Sequence, residues 1–185
     1  SKNAMEYVMP AHYYEDLLTE GSIVHCSVVN WTRHILKYAK KKGLVTCTDL
    51  HTNFDLNGYH KDYAENADIV FFSSQDLPGW KETGFRILGM GARIVICMRG
   101  EEGCAVFKND FYNEYPAESF TDKIVDSVGA GDAMTGSFLA CFSRGMNLED
   151  CILRAQVSGL YACTVKGSDS CYMDLEMMEE VVNRR

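Results

Sequence analysis

Asp126-Ser127-Val128-Gly129-Ala130-Gly131-Asp132-Ala133-Met134-Thr135-Gly136 is a glycine turn that runs straight into an amphipathic helix, with a carboxylate at the join. Gly129 and Gly131 carry no Cβ, so a ligand can approach the backbone and the amides can converge on one point with φ > 0. Met134, Phe138, Cys141 and Phe142 recur at helical spacing, which predicts a helix starting near Ala130 whose positive end opens on the glycines. A phosphate suits such an end. Asp132 falls in the first helical turn. A carboxylate there serves as an electrostatic cap or, beside a phosphate, as a group that handles a proton, and the stretch alone leaves both roles open.

Two better-known phosphate turns do not fit. A dinucleotide fingerprint needs a third glycine where Met134 stands, and a P-loop needs a Lys-Ser/Thr pair that is absent. The other glycine pair, Gly89-Met90-Gly91, precedes the apolar run Ile94-Val95-Ile96 instead of following a strand. An NAD-dependent oxidoreductase is therefore a weak reading.

The 185 residues are 46% hydrophobic, enough for one core, and read as a single α/β domain over residues 1–185. The formal charge of -8, with no basic run longer than Lys40-Lys41-Lys42, disfavours binding to nucleic acid or an anionic membrane and favours a small soluble ligand. The eight cysteines form no C-x-x-C pair, and several sit in apolar runs such as Ile94-Val95-Ile96-Cys97-Met98, so they read as core filling. With no signal peptide and no apolar span of ~18 residues, the expected setting is a reducing cytoplasm. The sequon Asn30-Trp31-Thr32 carries no meaning there.

Upstream of the turn the chain alternates. After a polar start at Ser1–Met5, set aside as a cloning remnant, a short helix is expected over Tyr13–Leu18 and a strand within Ser22–Val29. A helix with Trp31, Ile35, Leu36 and Ala39 on one face should follow, closed by Lys40–Lys42 and a left-handed Gly43. Leu44–Thr48 is a second strand that delivers Asp49, His51, Asn53 and Asp55 into a loop. Such residues at a strand's carboxyl end face a ligand crevice or simply make a turn, the latter favoured for His51. No H-E-x-x-H metal spacing is present.

A helix over Gly58–Asn66, a strand over Asp68–Phe72, and a helix entered through Pro78 and running toward Leu88 come next. Strands over Arg93–Met98 and Cys104–Phe107 flank the glycine loop Arg99–Gly103 as a hairpin edge, and Phe111–Ala117 adds another strand. Strand-helix alternation implies a mostly parallel sheet. Beyond the glycine turn, Asn147 and Asp150 open a helix whose small face (Ala155, Ser158, Gly159, Ala162) admits a neighbouring backbone. Lys166-Gly167-Ser168 breaks it, and Leu175–Val182 forms a closing amphipathic helix.

The order of these features resembles the ribokinase-like (PfkB) carbohydrate kinases from about residue 20 onward. The family's D-T-x-G-A-G-D signature appears as Asp126–Asp132 with Ser127 in place of a threonine. Asp49-Leu50-His51 resembles its D-x-N strand end, Ser73-Ser74-Gln75-Asp76 stands where it reads N-x-x-E, and Gly100-Glu101-Glu102-Gly103 matches its nucleotide-loop G-x-x-G.

The resemblance implies a three-layer ribokinase-like fold and ATP-dependent phosphorylation of a hydroxyl on a sugar, nucleoside or related small molecule. It implies Asp132 as general base and the amides of Gly129, Ala130 and Gly131 as the anion hole. Gly100 and Gly103 would line the nucleotide loop, Gln156 would lie near adenine, and Asp76 would help hold Mg²⁺ through water. Asp126 and the Val128 carbonyl resemble positions that bind a monovalent cation such as K⁺ in some members.

Ser73 for asparagine, Asp76 for glutamate and Met98 for threonine shorten or remove phosphate-side contacts. Arg99 either compensates with its guanidinium or is a surface residue. The family's N-terminal strands, most sugar contacts and lid precede the point where this chain begins, so the expected fold lacks them. That leaves a sheet edge exposed to self-association, with a homodimer the expected form. A degenerate, non-catalytic nucleotide- or sugar-binding module of the same fold is the alternative.

Overall fold

The computed structural model describes residues 9–121, 123–167 and 173–184. The expectations at Ser1–Met5, Ser168 and Cys171 lie outside the described residues. The chain forms two compact units: the described residues of Ser1–Gly100 with Cys104–Tyr115, and Glu101–Gly103 with those of Pro116–Arg185.

The first unit holds a six-stranded sheet whose spatial order follows the chain: β1 (Ile23–Ser27), β2 (Val45–Asp49), β3 (Ile69–Ser73), β4 (Ile94–Met98), β5 (Cys104–Lys108) and β6 (Phe111–Tyr115). The first four strands pair in parallel and the last two antiparallel. Parallel neighbours need long crossovers, supplied by α1 (Thr32–Lys41), α2 (Lys61–Asn66) and α3 (Trp80–Gly89). Leu36 and Ala39 of α1, Tyr63 and Ala64 of α2, and Ile87 of α3 join Val70, Phe72, Val95, Cys97 and Phe107 in one core. Residues of the opposite strand face, including Cys47, Ile69, Phe71, Ile96 and Val106, are buried as well. Burial on both faces explains why these strands read as unbroken apolar runs.

Local chemistry sets the boundaries. Gly43, at φ 75°, closes α1 with a Schellman pair: its amide reaches the Lys40 carbonyl at 3.0 Å and that of Leu44 reaches Ala39 at 3.1 Å. Trp31 falls just before α1 and is partly exposed, whereas Thr32 is buried with its hydroxyl on the Val29 carbonyl at 2.7 Å. The helix expected over Tyr13–Leu18 is instead a pair of 3₁₀ turns, Ala11–Tyr13 and Glu15–Leu17, too short to nucleate a longer helix. The helix expected from Gly58 starts only at Lys61. Asp55 accepts the Asn57 amide at 2.8 Å, and this side-chain turn competes with helix over the preceding residues.

The second unit is helical: α4 (Ala130–Ser143), α5 (Leu148–Ala162) and α6 (Leu175–Asn183). Asn147 caps α5 by accepting the Asp150 amide at 2.8 Å, and Asp174 caps α6 by accepting that of Met177 at 2.9 Å. The small face of α5 serves close approach: a Cβ on Gly159 would stand 3.1 Å from the Ala130 carbonyl oxygen. The buried Arg154 ties α6 to α5 through a bidentate pair with Glu179, both contacts at 2.9 Å. Cysteines 26, 47, 97, 104, 141 and 151 are buried and free, as their apolar settings implied.

Candidate active site

The predicted helix opens where expected. Gly129 precedes α4 at φ 85°, ψ -6°, a left-handed geometry that favours glycine, and no side chain caps the helix. Ser127 accepts the Ala130 amide at 3.2 Å through its carbonyl, and the first helical bond runs from Ala133 to Gly129 at 2.9 Å. The amides of Gly131 and Asp132 therefore lie among the helix-start donors that have no intrahelical acceptor. Asp132 is exposed. With Gly129 it lines one end of a groove of about 470 Å³, bounded by α4, α5 and α6, whose other walls include Gly136, Arg144, Ser158 and Asp174.

Asp126 braces this turn. One carboxylate oxygen accepts the Val128 amide at 3.0 Å and the other the Gly167 amide at 3.1 Å, and the Val128 bond above all, then that of Gly167, lowers its pKa. The Cys163 carbonyl accepts the Val125 amide at 2.8 Å and the Asp126 amide at 3.3 Å, so the approach to the turn is fastened to the end of α5. Nothing in the sequence pairs Asp126 with Gly167. The only signal is a glycine after a helix end, here with φ 90°. Gln156 is buried in α5.

In the first unit, backbone bonds continue past the strand ends: Leu50 to Phe71 at 2.9 Å, Ser73 to His51 at 2.9 Å and Ser74 to Met98 at 2.9 Å. These bonds hold Ser73 and Met98 at the carboxyl ends of neighbouring strands, and Asp76 follows three residues past Ser73. The Ser73 hydroxyl accepts the Gln75 amide at 3.1 Å, and Asp76 is exposed with φ 56°. His51 and Asn53 also adopt positive φ, at 56° and 54°, and the buried Asp49 accepts the His51 amide at 2.8 Å, which is the turn chemistry favoured for His51.

Gly100 and Gly103 bracket the turn between β4 and β5 at φ 57° and 92°. Gly100 groups with the first unit, while Gly103 groups with the second, which also carries the 126–132 turn. The Arg99 guanidinium is ion-paired with Glu114 and lies over the Trp80 ring, 4.4 Å from its centroid. Glu114 and Trp80 are the partners that sequence reading misses. Among the described residues no group of three or more His, Cys, Asp and Glu could hold a metal ion, and no helix is long and apolar enough to cross a membrane.

A sequence model described as pfkB family carbohydrate kinase matches residues 21–175. The acarbose 7(IV)-phosphotransferase of Actinoplanes sp. is 31% identical over 179 residues, covering 94% of this chain and 59% of that protein. The cytidine kinase of Thermococcus kodakarensis is 48% identical over 89 residues, 48% of this chain and 31% of that protein. Among solved structures, a microbiome-derived acarbose kinase superposes with a TM-score of 0.89 at 29% identity, over 97% of this chain and 62% of its own. Arabidopsis thaliana ribokinase, complexed with ribose and ATP, shares the fold with a TM-score of 0.78 at 17% identity, over 95% of this chain and 60% of its own. An E. coli ribokinase II candidate in complex with ATP and Mg²⁺ gives 0.79 at 21% identity, over 92% of this chain and 61% of its own. The chain thus spans about three fifths of the length of these structures and of the Actinoplanes enzyme. A matching family model over most of the sequence, the glycine turn at the head of α4 and the mostly parallel sheet lead to one conclusion: this chain belongs to the pfkB family of carbohydrate kinases.

Proposed function

We propose that the chain is the nucleotide-binding and catalytic part of an ATP- and Mg²⁺-dependent phosphotransferase that phosphorylates a hydroxyl of a sugar or nucleoside. The observation that carries this reading is the left-handed, uncapped Gly129 entry to α4 with the exposed Asp132 in its first turn. ATP, when bound, supplies the phosphoryl group and Mg²⁺ neutralises its charge. Asp132 would take the proton of the substrate hydroxyl as the hydroxyl oxygen accepts the phosphoryl group and ADP leaves. The amides of Gly129 and Gly131, with that of Ala130 once it turns from the Ser127 carbonyl, stabilise the transferring group.

Gly100 and Gly103 shape the nucleotide turn, and Gln156 lies on the adenine side of this reading. Ser73 and Met98 are assigned to the phosphate side, and the exposed Asp76 fits a Mg²⁺ contact made through water. The Asp126 carboxylate accepts one amide on each oxygen and so keeps lone pairs for a monovalent cation such as K⁺, with the Val128 carbonyl as its partner. A homodimer, supported by the sheet edge at β1, which among the described residues pairs with β2 alone, and a cytoplasmic setting, supported by the free buried thiols, complete the proposal.

The test is Asp132→Asn. Nucleotide binding should persist while turnover drops by at least ~10²-fold, and an unaffected rate would remove the base assignment. One observation favours the second reading, a non-catalytic binding module: the Arg99 guanidinium is already committed to Glu114 and Trp80, which counts against a direct phosphate contact. Mg²⁺-dependent ATP turnover that Asp132→Asn abolishes excludes the module.

A further inference from the structure

We infer that Arg99 and Glu114 form a clamp that positions the turn starting at Gly100, and that Arg99 serves the nucleotide indirectly, without touching a phosphate. The nucleotide part of this inference rests on the proposed kinase reading; the clamp itself rests on geometry. Arg99 is the residue between the last of β4, Met98, and Gly100, whose φ of 57° favours a glycine. Its side chain is only 13% exposed and its guanidinium holds one Glu114 oxygen.

The other Glu114 oxygen is engaged from the opposite side. It accepts the Tyr112 hydroxyl and lies 3.8 Å from the Lys81 ammonium, which itself sits 4.2 Å from the Tyr112 ring centroid. Trp80 supplies the floor: its ring lies under Arg99 and edge-on to the buried Phe107, with centroids 6.3 Å apart. A guanidinium held over an aromatic face and paired with a carboxylate has little rotational freedom left. The backbone at Arg99 is thus joined to β6 through Glu114 and to the start of α3 through Trp80 and Lys81. A flexible turn beginning there inherits that order, and a ligand that needs the turn ordered spends less binding energy on fixing it.

Glu114 distinguishes a clamp from a ligand, because it is an acid and would repel a phosphate. The experiment compares wild-type chain, Arg99→Ala, Glu114→Gln and the double variant by calorimetric titration with ATP-Mg²⁺ and by hydrogen exchange of the amides at Gly100 and Glu101. A clamp predicts that each single variant weakens ATP binding by roughly tenfold, that the double variant is no worse than either, and that both turn amides exchange faster in all variants. A loss in Arg99→Ala with unchanged or tighter binding in Glu114→Gln overturns the clamp in favour of a direct phosphate contact. Unchanged affinity and exchange in both singles overturns it in favour of a surface ion pair. Wild-type chain that binds no ATP overturns the nucleotide reading, and the exchange data still uphold or refute the clamp.

Discussion

Gly159 and Gly136 lie in neighbouring helices of the second unit, and the same substitution should push them in opposite directions. A Cβ on Gly136 meets nothing within 4 Å, whereas one on Gly159 meets the Ala130 carbonyl oxygen at 3.1 Å and the Met134 Cβ at 3.5 Å. Replacing a helix-interior glycine by alanine contributes roughly 0.5–1 kcal/mol through backbone entropy, and Gly136→Ala should keep all of it. At Gly159 the partner is the backbone of the first residue of α4, which cannot rotate away, so α4 must retreat by a few tenths of an ångström. Overpacking of that kind costs about 1–3 kcal/mol, leaving a net loss of up to about 2.5 kcal/mol for Gly159→Ala.

For a chain of this length the difference is readable in thermal unfolding: Gly136→Ala should raise Tm by roughly 1–4 °C and Gly159→Ala should lower it by up to roughly 10 °C. Ala130 leads directly into the Gly131 and Asp132 amides, so Gly159→Ala should also weaken ATP-Mg²⁺ binding, although α5 contributes nothing but a missing methyl at that point. Equal stabilisation by both variants would refute the reasoning, because it would mean the α4–α5 contact is loose enough to accept the methyl.

Three further outcomes are expected. In the first unit, a Cβ on Gly84 would fall 2.4 Å from the buried Phe107 ring, so Gly84→Ala should destabilise by about 1–3 kcal/mol in urea unfolding, and Phe107→Leu in the same chain should recover part of that loss. The depressed pKa of Asp126 contributes stability that is fully present above the ordinary value of 3.8 and is lost as pH falls through the lower folded value. Melting temperatures measured from about pH 5 downward should therefore fall less steeply for Asp126→Asn than for wild type, and parallel curves would count against the brace. Burial pushes the Cys97 and Cys104 thiols up to about 12, so an alkylating reagent at about pH 8 should label them only after denaturant is added.

The sheet was legible because burial on both faces leaves little room for polar residues: β3 and β4 appear as Ile69–Ser73 and Ile94–Met98 between polar or glycine-bearing loops. The head of α4 was legible for the opposite reason, since two glycines and a carboxylate before an apolar repeat have few other uses. What failed was local competition. The side-chain turn at Asp55 displaced the start of α2, and the segment before β1 settled into 3₁₀ turns. The partners that brace the candidate residues were not legible at all. Asp126 meets Gly167 across 41 residues, and Arg99 meets Glu114 across 15, on an edge strand whose polar face looks like any solvated one.

The turn at 126–132 is fastened to α5 twice over, by the Cys163 carbonyl that holds the Val125 and Asp126 amides and by Gly159 beneath Ala130. The last turn of a helix frays before its middle, and Cys163 lies just past the end of α5. The turn's order is therefore limited by the weakest part of the helix that supports it. Warming should release the carbonyl of Cys163, and with it the alignment of Gly129 to Asp132, while the sheet is still intact. In such a molecule the temperature at which the glycine turn loses its order should lie below the temperature at which the fold melts, with the gap between them set by Cys163 and Gly159.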